Sequence, residues 1–196
     1  PLIAVPTTAG SGSESTPNAV IYIDKKKYTV ENQCTIPNKF CLFPEFTLSN
    51  TREIKSSSGF DAIAQSLESL MSVNSNFKSI KFASNSLKIS LKNYLNFLNR
   101  PNLQYAKKMS EAANLSGKAI AISKTTAPHA LSYPFTAYFN FSHGHAVSLT
   151  IEKFILFNFL KADYSKTVFN LKKRFELIFS LTKTKNIYEL VNFLKY

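Results

Sequence analysis

Near Thr47 the chain changes character, from short β-type runs to apolar residues recurring at the three- and four-residue steps of helices. Residues 1 to about 45 hold Leu2-Ile3-Ala4-Val5, Ala19-Val20-Ile21-Tyr22-Ile23 and Phe40-Cys41-Leu42-Phe43, separated by loops rich in Pro, Gly, Ser and Thr. These read as sheet-edge strands. Beyond Thr47, the residues Phe60, Ile63, Ala64, Leu67, Leu70 and Met71 mark one helical face, with Ser58 as its expected N-cap and Asp61 three residues on. Further helices are expected at about 77–98, 102–123, 143–161, 165–181 and 186–195, and Pro134 is expected to end a short helix ahead of His143. The expectation is therefore an α+β, mainly α chain: the remainder of one domain over residues 1–46 and an all-helical domain over 47–196.

A chain of 196 residues with 44% hydrophobic content can bury a sizeable core, which excludes a disordered tail. Its net charge of +12 suits an anionic partner. Only Lys25-Lys26-Lys27 and Lys172-Lys173-Arg174 form tight basic runs, so a small anionic ligand is expected and no nucleic acid. Cys34 and Cys41 are too few for a disulfide framework and show no zinc-knuckle spacing, which fits a reducing cytoplasm. No membrane partner is expected, since no apolar run reaches the roughly 20 residues of a spanning helix. The opening Pro-Leu-Ile-Ala-Val-Pro reads as a strand already inside a fold, so the expectation is that the beginning of a longer protein is missing.

All three histidines, His129, His143 and His145, fall between residues 129 and 145. Two imidazoles and one carboxylate make a sound nitrogen and oxygen set for a divalent iron or zinc ion, although a lone histidine is as readily a satisfied core residue. The carboxylate must come from elsewhere. Asp61 and Gln65, four residues apart, would point to one side of a helix and could reach a common ion; Asp61 could equally be a first-turn carboxylate answering the helix dipole. Thr7-Thr8-Ala9-Gly10-Ser11-Gly12-Ser13-Glu14 follows the first strand and could cradle a phosphate or pack against a nicotinamide, or be no more than a loop.

Taken in order, Pro6 to Glu14, Asp61-Ala62-Ile63-Ala64-Gln65-Ser66-Leu67-Glu68, His129-Ala130-Leu131-Ser132-Tyr133-Pro134 and His143-Gly144 resemble the signatures of the iron-containing alcohol dehydrogenases. Gln65, Ser72-Val73-Asn74-Ser75 and His143-Gly144-His145-Ala146-Val147 look most like the phosphonoacetaldehyde reductase branch of that family. The resemblance covers roughly residues 1 to 160.

It implies the end of a nucleotide-binding α/β domain followed by a helical metal domain. It further implies hydride transfer from NADH or NADPH to a small aldehyde, one carrying a phosphonate in that branch, with the carbonyl polarised by a divalent metal. Asp61, His129 and His143 match metal ligands, with Gln65, a neutral amide, at the fourth position. Tyr133 stands where many members carry another histidine and would serve in proton relay if its pKa were lowered. Thr7, Thr8, Gly10, Ser11 and Gly12 would line the nicotinamide and phosphate side, and Lys27 would face the ribose or be an exposed hairpin lysine. His145 would contact the phosphonate or bond within the helix start. A homo-oligomer is compatible with the resemblance. The family's Gly-Gly-Gly-Ser pyrophosphate loop does not occur in these residues, so the alternative expectation is a truncated, inactive remnant acting at most as a binding module.

Overall fold

In the computed structural model, which describes residues 1–195, helix α2 (Arg52–Met71) is the axis of the molecule: every residue from Asp61 to Met71 is buried. A helix covered all round must be the element that others pack on. Thr51 starts it, its hydroxyl accepting from the Ile54 N–H at 3.3 Å. At its end Arg174 donates to the Leu70 carbonyl at 2.8 Å, and the Ser72 hydroxyl donates to the Ser123 carbonyl. Around α2 lie α3 (Phe77–Asn99), α4 (Leu103–Ser123) and α6 (His143–Leu160), with α7 (Leu171–Thr182) and α8 (Ile187–Leu194) closing the far end and α1 (Pro44–Leu48) against α4. Helix α5 (Ala127–Phe139) packs on α6.

The core gathers Leu67 and Leu70 of α2, Leu87 of α3, Val147, Ile151 and Ile155 of α6, Phe175 and Ile178 of α7 and Leu190 of α8. The abundant asparagines have a structural use: Asn76, Asn102, Asn170 and Asn186 each cap a helix by accepting backbone N–H bonds. Buried serines link α2, α3 and α4, as where Ser86 donates to the Ala112 carbonyl at 2.8 Å and Ser123 to Ser69 at 2.8 Å.

The opening residues form two small sheets. Strand β1 (Ile3–Ala4) pairs in parallel with β4 (Lys39–Phe40), and β2 (Asn18–Ile23) pairs antiparallel with β3 (Lys26–Glu31). Asp24 and Lys25 make the hairpin turn with φ of 48° and 62°, the doubly left-handed form that matches strand twist. Val20, Ile21, Tyr22 and Ile23 are all exposed. No helix among the described residues is long and apolar enough to cross a membrane.

Three expectations from sequence are corrected. Ser58 lies inside α2, not at its start, and its hydroxyl bonds to the Ile54 carbonyl at 2.7 Å; Asp61 is consequently mid-helix and not a first-turn carboxylate. Pro134 does not end α5, which runs on to Phe139 and stops where Asn140 turns left-handed at φ 56°. Helix α7 starts at Leu171 behind its Asn170 cap instead of at 165.

Candidate metal centre

Asp61, Gln65 and Glu68 fall at i, i+4 and i+7, so the one buried helix carries a polar stripe along one side. Buried carboxylates are costly unless paired, and the partners come from α5 and α6. His129 of α5 places Nε2 3.1 Å from Asp61 Oδ1 and Nδ1 2.5 Å from Glu68 Oε1. His143, the first residue of α6, places Nε2 3.9 Å from the same Asp61 oxygen. The two imidazoles meet edge to face at 5.2 Å. One ligand atom each from Asp61, His129 and His143 lies within 4.8 Å of the others.

Hydrogen bonding on the far side of each ring decides which nitrogen faces Asp61. Glu68 accepts from His129 Nδ1. Ser132 donates its single proton to the His129 carbonyl at 2.7 Å and is left to accept from His143 Nδ1 at 3.4 Å. Both Nδ1 atoms are thus held as N–H, and both Nε2 atoms are turned toward Asp61, the arrangement by which outer partners orient metal-binding imidazoles. Two imidazole nitrogens and a carboxylate fit a divalent transition ion.

The electrostatics agree. Burial alone would disfavour a charged His129, yet Glu68 and Asp61 outweigh it and push its pKa up to about 10. Burial lowers His143, and the charges of His129 and Lys27 add to that against the pull of Asp61 and Glu68. Burial also raises Tyr133, with Tyr22 and Glu68 adding to it. The phenol therefore stays protonated at neutral pH, contrary to the lowered pKa that a proton-relay base would need.

Gln65 is in place but differently engaged. Its Nε2 lies 3.1 Å from Asp61 Oδ2 and 3.4 Å from the Ser11 carbonyl, while Oε1 accepts from Ser116 at 2.9 Å. The loop after β1 divides by function. Gly10 and Gly12 face inward, where a Cβ would meet the Ser58 carbonyl at 2.5 Å and the Ala113 carbonyl at 2.4 Å; Gly12 also has φ 58°. They allow the loop to seat on α2 and α4, leaving Thr7 and Ser11 exposed and Thr8 half-buried. Lys27 on β3 is half-buried beneath the Tyr133 ring, its Nζ 2.9 Å from the centroid, and burial lowers its pKa to about 8.

His145 is not brought to the cluster. Residues two apart on a helix point about 200° apart, so with His143 facing Asp61, His145 turns away. It stacks on Phe141 at 4.9 Å and lines a separate cleft of about 390 Å³ with Ser57, Ser142 and Ser148. Glu68 and Ser132 were not singled out from sequence; the available signal was position, seven residues after Asp61 and three after His129.

Gly144 sets the approach of α6 to α2, since a Cβ there would lie 1.9 Å from the Ser57 carbonyl, one turn before Asp61. Gly144→Ala is expected to cost about 1–3 kcal/mol through forced separation of the helices. It should weaken metal binding at the same time by withdrawing His143. Thermal denaturation and metal titration of the same sample check both, and an unchanged melting temperature would contradict the close packing.

Known proteins share both sequence and fold. The profile described as Fe-containing alcohol dehydrogenase family, C-terminal, matches residues 55–189. The chain belongs to the iron-containing alcohol dehydrogenase family. A second profile, Iron-containing alcohol dehydrogenase, matches residues 1–44. Phosphonoacetaldehyde reductase of Streptomyces viridochromogenes is 30% identical over 160 residues, 80% of this chain and 40% of that protein. Aldehyde-alcohol dehydrogenase 2 of Entamoeba histolytica is 31% identical over 159 residues, 80% of this chain and 18% of that one. Among solved structures, sulfoacetaldehyde reductase from Bifidobacterium kashiwanohense, in complex with NAD+, superposes with a TM-score of 0.87 at 28% identity, over 99% of this chain and 50% of that chain. The chain thus spans 40% or less of the length of these two curated relatives and about half of that solved relative.

Proposed function

We propose that this chain contributes the metal-binding half of a nicotinamide-dependent aldehyde reductase, with residues 1–46 completing a nucleotide-binding domain and 47–196 forming the helical metal domain. The observation that carries the reading is the convergence of Asp61, His129 and His143 with both Nδ1 atoms tied back by Glu68 and Ser132. In this family the group is a divalent ion, here iron or zinc, which supplies Lewis-acid polarisation of a carbonyl, while NADH or NADPH supplies the hydride.

Gln65 completes the set if its amide turns over. Ser116 also lies 2.9 Å from the Ala113 carbonyl, and one hydroxyl proton cannot serve both that carbonyl and Gln65 Oε1. With the amide reversed, Ser116 would accept from Nε2 and donate to Ala113, and Oε1 would face the Asp61 carboxylate and the Ser11 carbonyl, an arrangement that a bound cation would favour. Tyr133 lies one turn beyond His129 on α5 and so shares its face. As a phenol that stays protonated it is a donor to the product alkoxide, which suits the reducing direction. Thr7, Thr8 and Ser11 line the cofactor side. The substrate is a small aldehyde, and the names of phosphonoacetaldehyde reductase and sulfoacetaldehyde reductase point to one bearing a tetrahedral acid group. Free, exposed Cys34 and Cys41 suit the reducing cytoplasm.

The test is reconstitution with Fe(II) or Zn(II) followed by metal analysis, together with NADH or NADPH oxidation by the complete enzyme. One equivalent of metal is expected, and Tyr133→Phe should lower kcat by about a hundredfold while the metal is retained. Equal metal content in wild type and His143→Ala would overturn the ligand set.

A further inference from the structure

Among the described residues, one ion pair joins residues 1–46 to the helical domain: Lys124 with Glu31, the last residue of β3. The other ion pairs lie within residues 47–196. Both partners are partly exposed, so the pair by itself adds little to stability. What sets it apart is the backbone that presents it. Lys124, the C-cap of α4, has φ 61° and ψ 169°, a combination that essentially only glycine adopts at ease. A residue with a Cβ stays there only where its surroundings over-determine it.

They do so on both sides. The Lys124 N–H bonds to the Ile120 carbonyl at 2.9 Å, and the Ser123 carbonyl just before it accepts from Ser72. Two residues further on, Thr126 gives its N–H at 2.6 Å and its hydroxyl at 2.8 Å to one oxygen of Glu68, whose other oxygen holds His129 Nδ1. The short turn 124–126 between α4 and α5 therefore has the hairpin at one end and the outer partner of His129 at the other. Pinned in this way, it has little room to absorb a displacement of Lys124. A shift there reaches Thr126, and a carboxylate shared between Thr126 and His129 cannot follow one without turning from the other.

We propose that Lys124 is a positioning residue of the metal centre: through Glu31 it makes the orientation of His129 depend on the seat of the β2–β3 hairpin. Glycine would fit this backbone without strain but could not reach Glu31, which gives the strained lysine a use. With the hairpin seated, Thr126 and Glu68 hold the His129 ring; with it displaced, the hold loosens. The inference rests on the proposed reductase reading for what the centre does, while the link from Glu31 to the His129 ring stands without it.

The experiment follows the His129 Nδ1–H by nuclear magnetic resonance in the metal-free full chain, reading its exchange with water, beside Zn(II) titration of the same samples. Lys124→Gly keeps the turn and removes the tether. Its melting temperature should rise by about 2 °C as the backbone is relieved, yet the Nδ1–H should exchange about threefold faster and Zn(II) bind about threefold more weakly. Glu31→Gln cuts the same tether from its other end, so exchange and affinity should change alike with no rise in melting temperature. Exchanging the charges, Glu31→Lys together with Lys124→Glu, should restore both toward wild type. A glycine variant that is more stable with a His129 proton as slow as that of wild type overturns the proposal, as does a charge-exchanged pair no better than either single change. Failure of the reductase reading looks different: Asp61→Asn and wild type would then hold equal metal, while the exchange rates still separate the Lys124 and Glu31 variants from wild type.

Discussion

Asp61→Asn is expected to lower divalent-metal affinity by about a thousandfold and to leave the chain folded. Asp61 is the proposed anionic ligand, the carboxylate on which both Nε2 atoms converge, and breaking a buried charge pair costs about 3–5 kcal/mol, at about 1.4 kcal/mol per tenfold. The amide keeps the shape of the carboxylate, so the helix packing around it is retained. The same site fixes the pH dependence. Without an ion His129 holds both ring protons up to its raised pKa of about 10, and an ion at Nε2 must expel one of them. Affinity should therefore rise about tenfold per pH unit from pH 7 and level off above about 10. His143, lowered by burial, is already neutral at pH 7 and releases none. Calorimetry in buffers of different ionisation enthalpy should read one proton released per ion at pH 8. An affinity flat between pH 7 and 9 would contradict the ligand role of His129.

Glu68→Ala should be the most destabilising change in the helical bundle, by about 3–5 kcal/mol. Its fully buried carboxylate accepts from His129 at 2.5 Å through one oxygen, and through the other from the Thr126 N–H at 2.6 Å and hydroxyl at 2.8 Å. One side chain thus orients the histidine proposed as a ligand and satisfies the start of α5. Alanine would leave the buried imidazole N–H and the part-buried Thr126 N–H and hydroxyl without their acceptor. Glu68→Gln separates the two duties. An amide turned to accept from Thr126 presents N–H to His129 Nδ1, which forces the proton to Nε2 and blocks the ion. The fold should survive while metal affinity falls about 10- to 100-fold. Denaturant unfolding and metal titration of both variants check this; a Gln variant that binds metal as wild type does would remove Glu68 from the positioning of His129.

Much of the site was legible because its ingredients are scarce. Three histidines in 196 residues, all within one stretch, drew attention to α5 and α6, and the Asp61-to-Gln65 spacing found the facing side of α2. The bounds of α3, α4, α6 and α8 follow from the sequence for a similar reason, since burial on one face leaves a period in it. Ser58 and Pro134 misled because local rules assign a cap to a serine and an end to a proline. Here helix α2 already had Thr51, and α5 continues through its proline with His129 and Ser132 buried against its neighbours. Packing outweighed the local preference.

The residues by themselves determined the family, the mainly helical architecture and the candidate ligands Asp61, His129 and His143, because those follow from residue type and spacing along one chain. Three things depended on tertiary structure. Which imidazole nitrogens face Asp61 is decided by Glu68 and Ser132, and that His145 turns away is decided by the rotation of α6 once His143 is seated. That Lys27 lies against Tyr133 is decided by a hairpin meeting a helix about a hundred residues later in the sequence. Spacing along a chain says which groups share a face. Only packing between faces says which atoms meet, and chemistry is done by the atoms that meet.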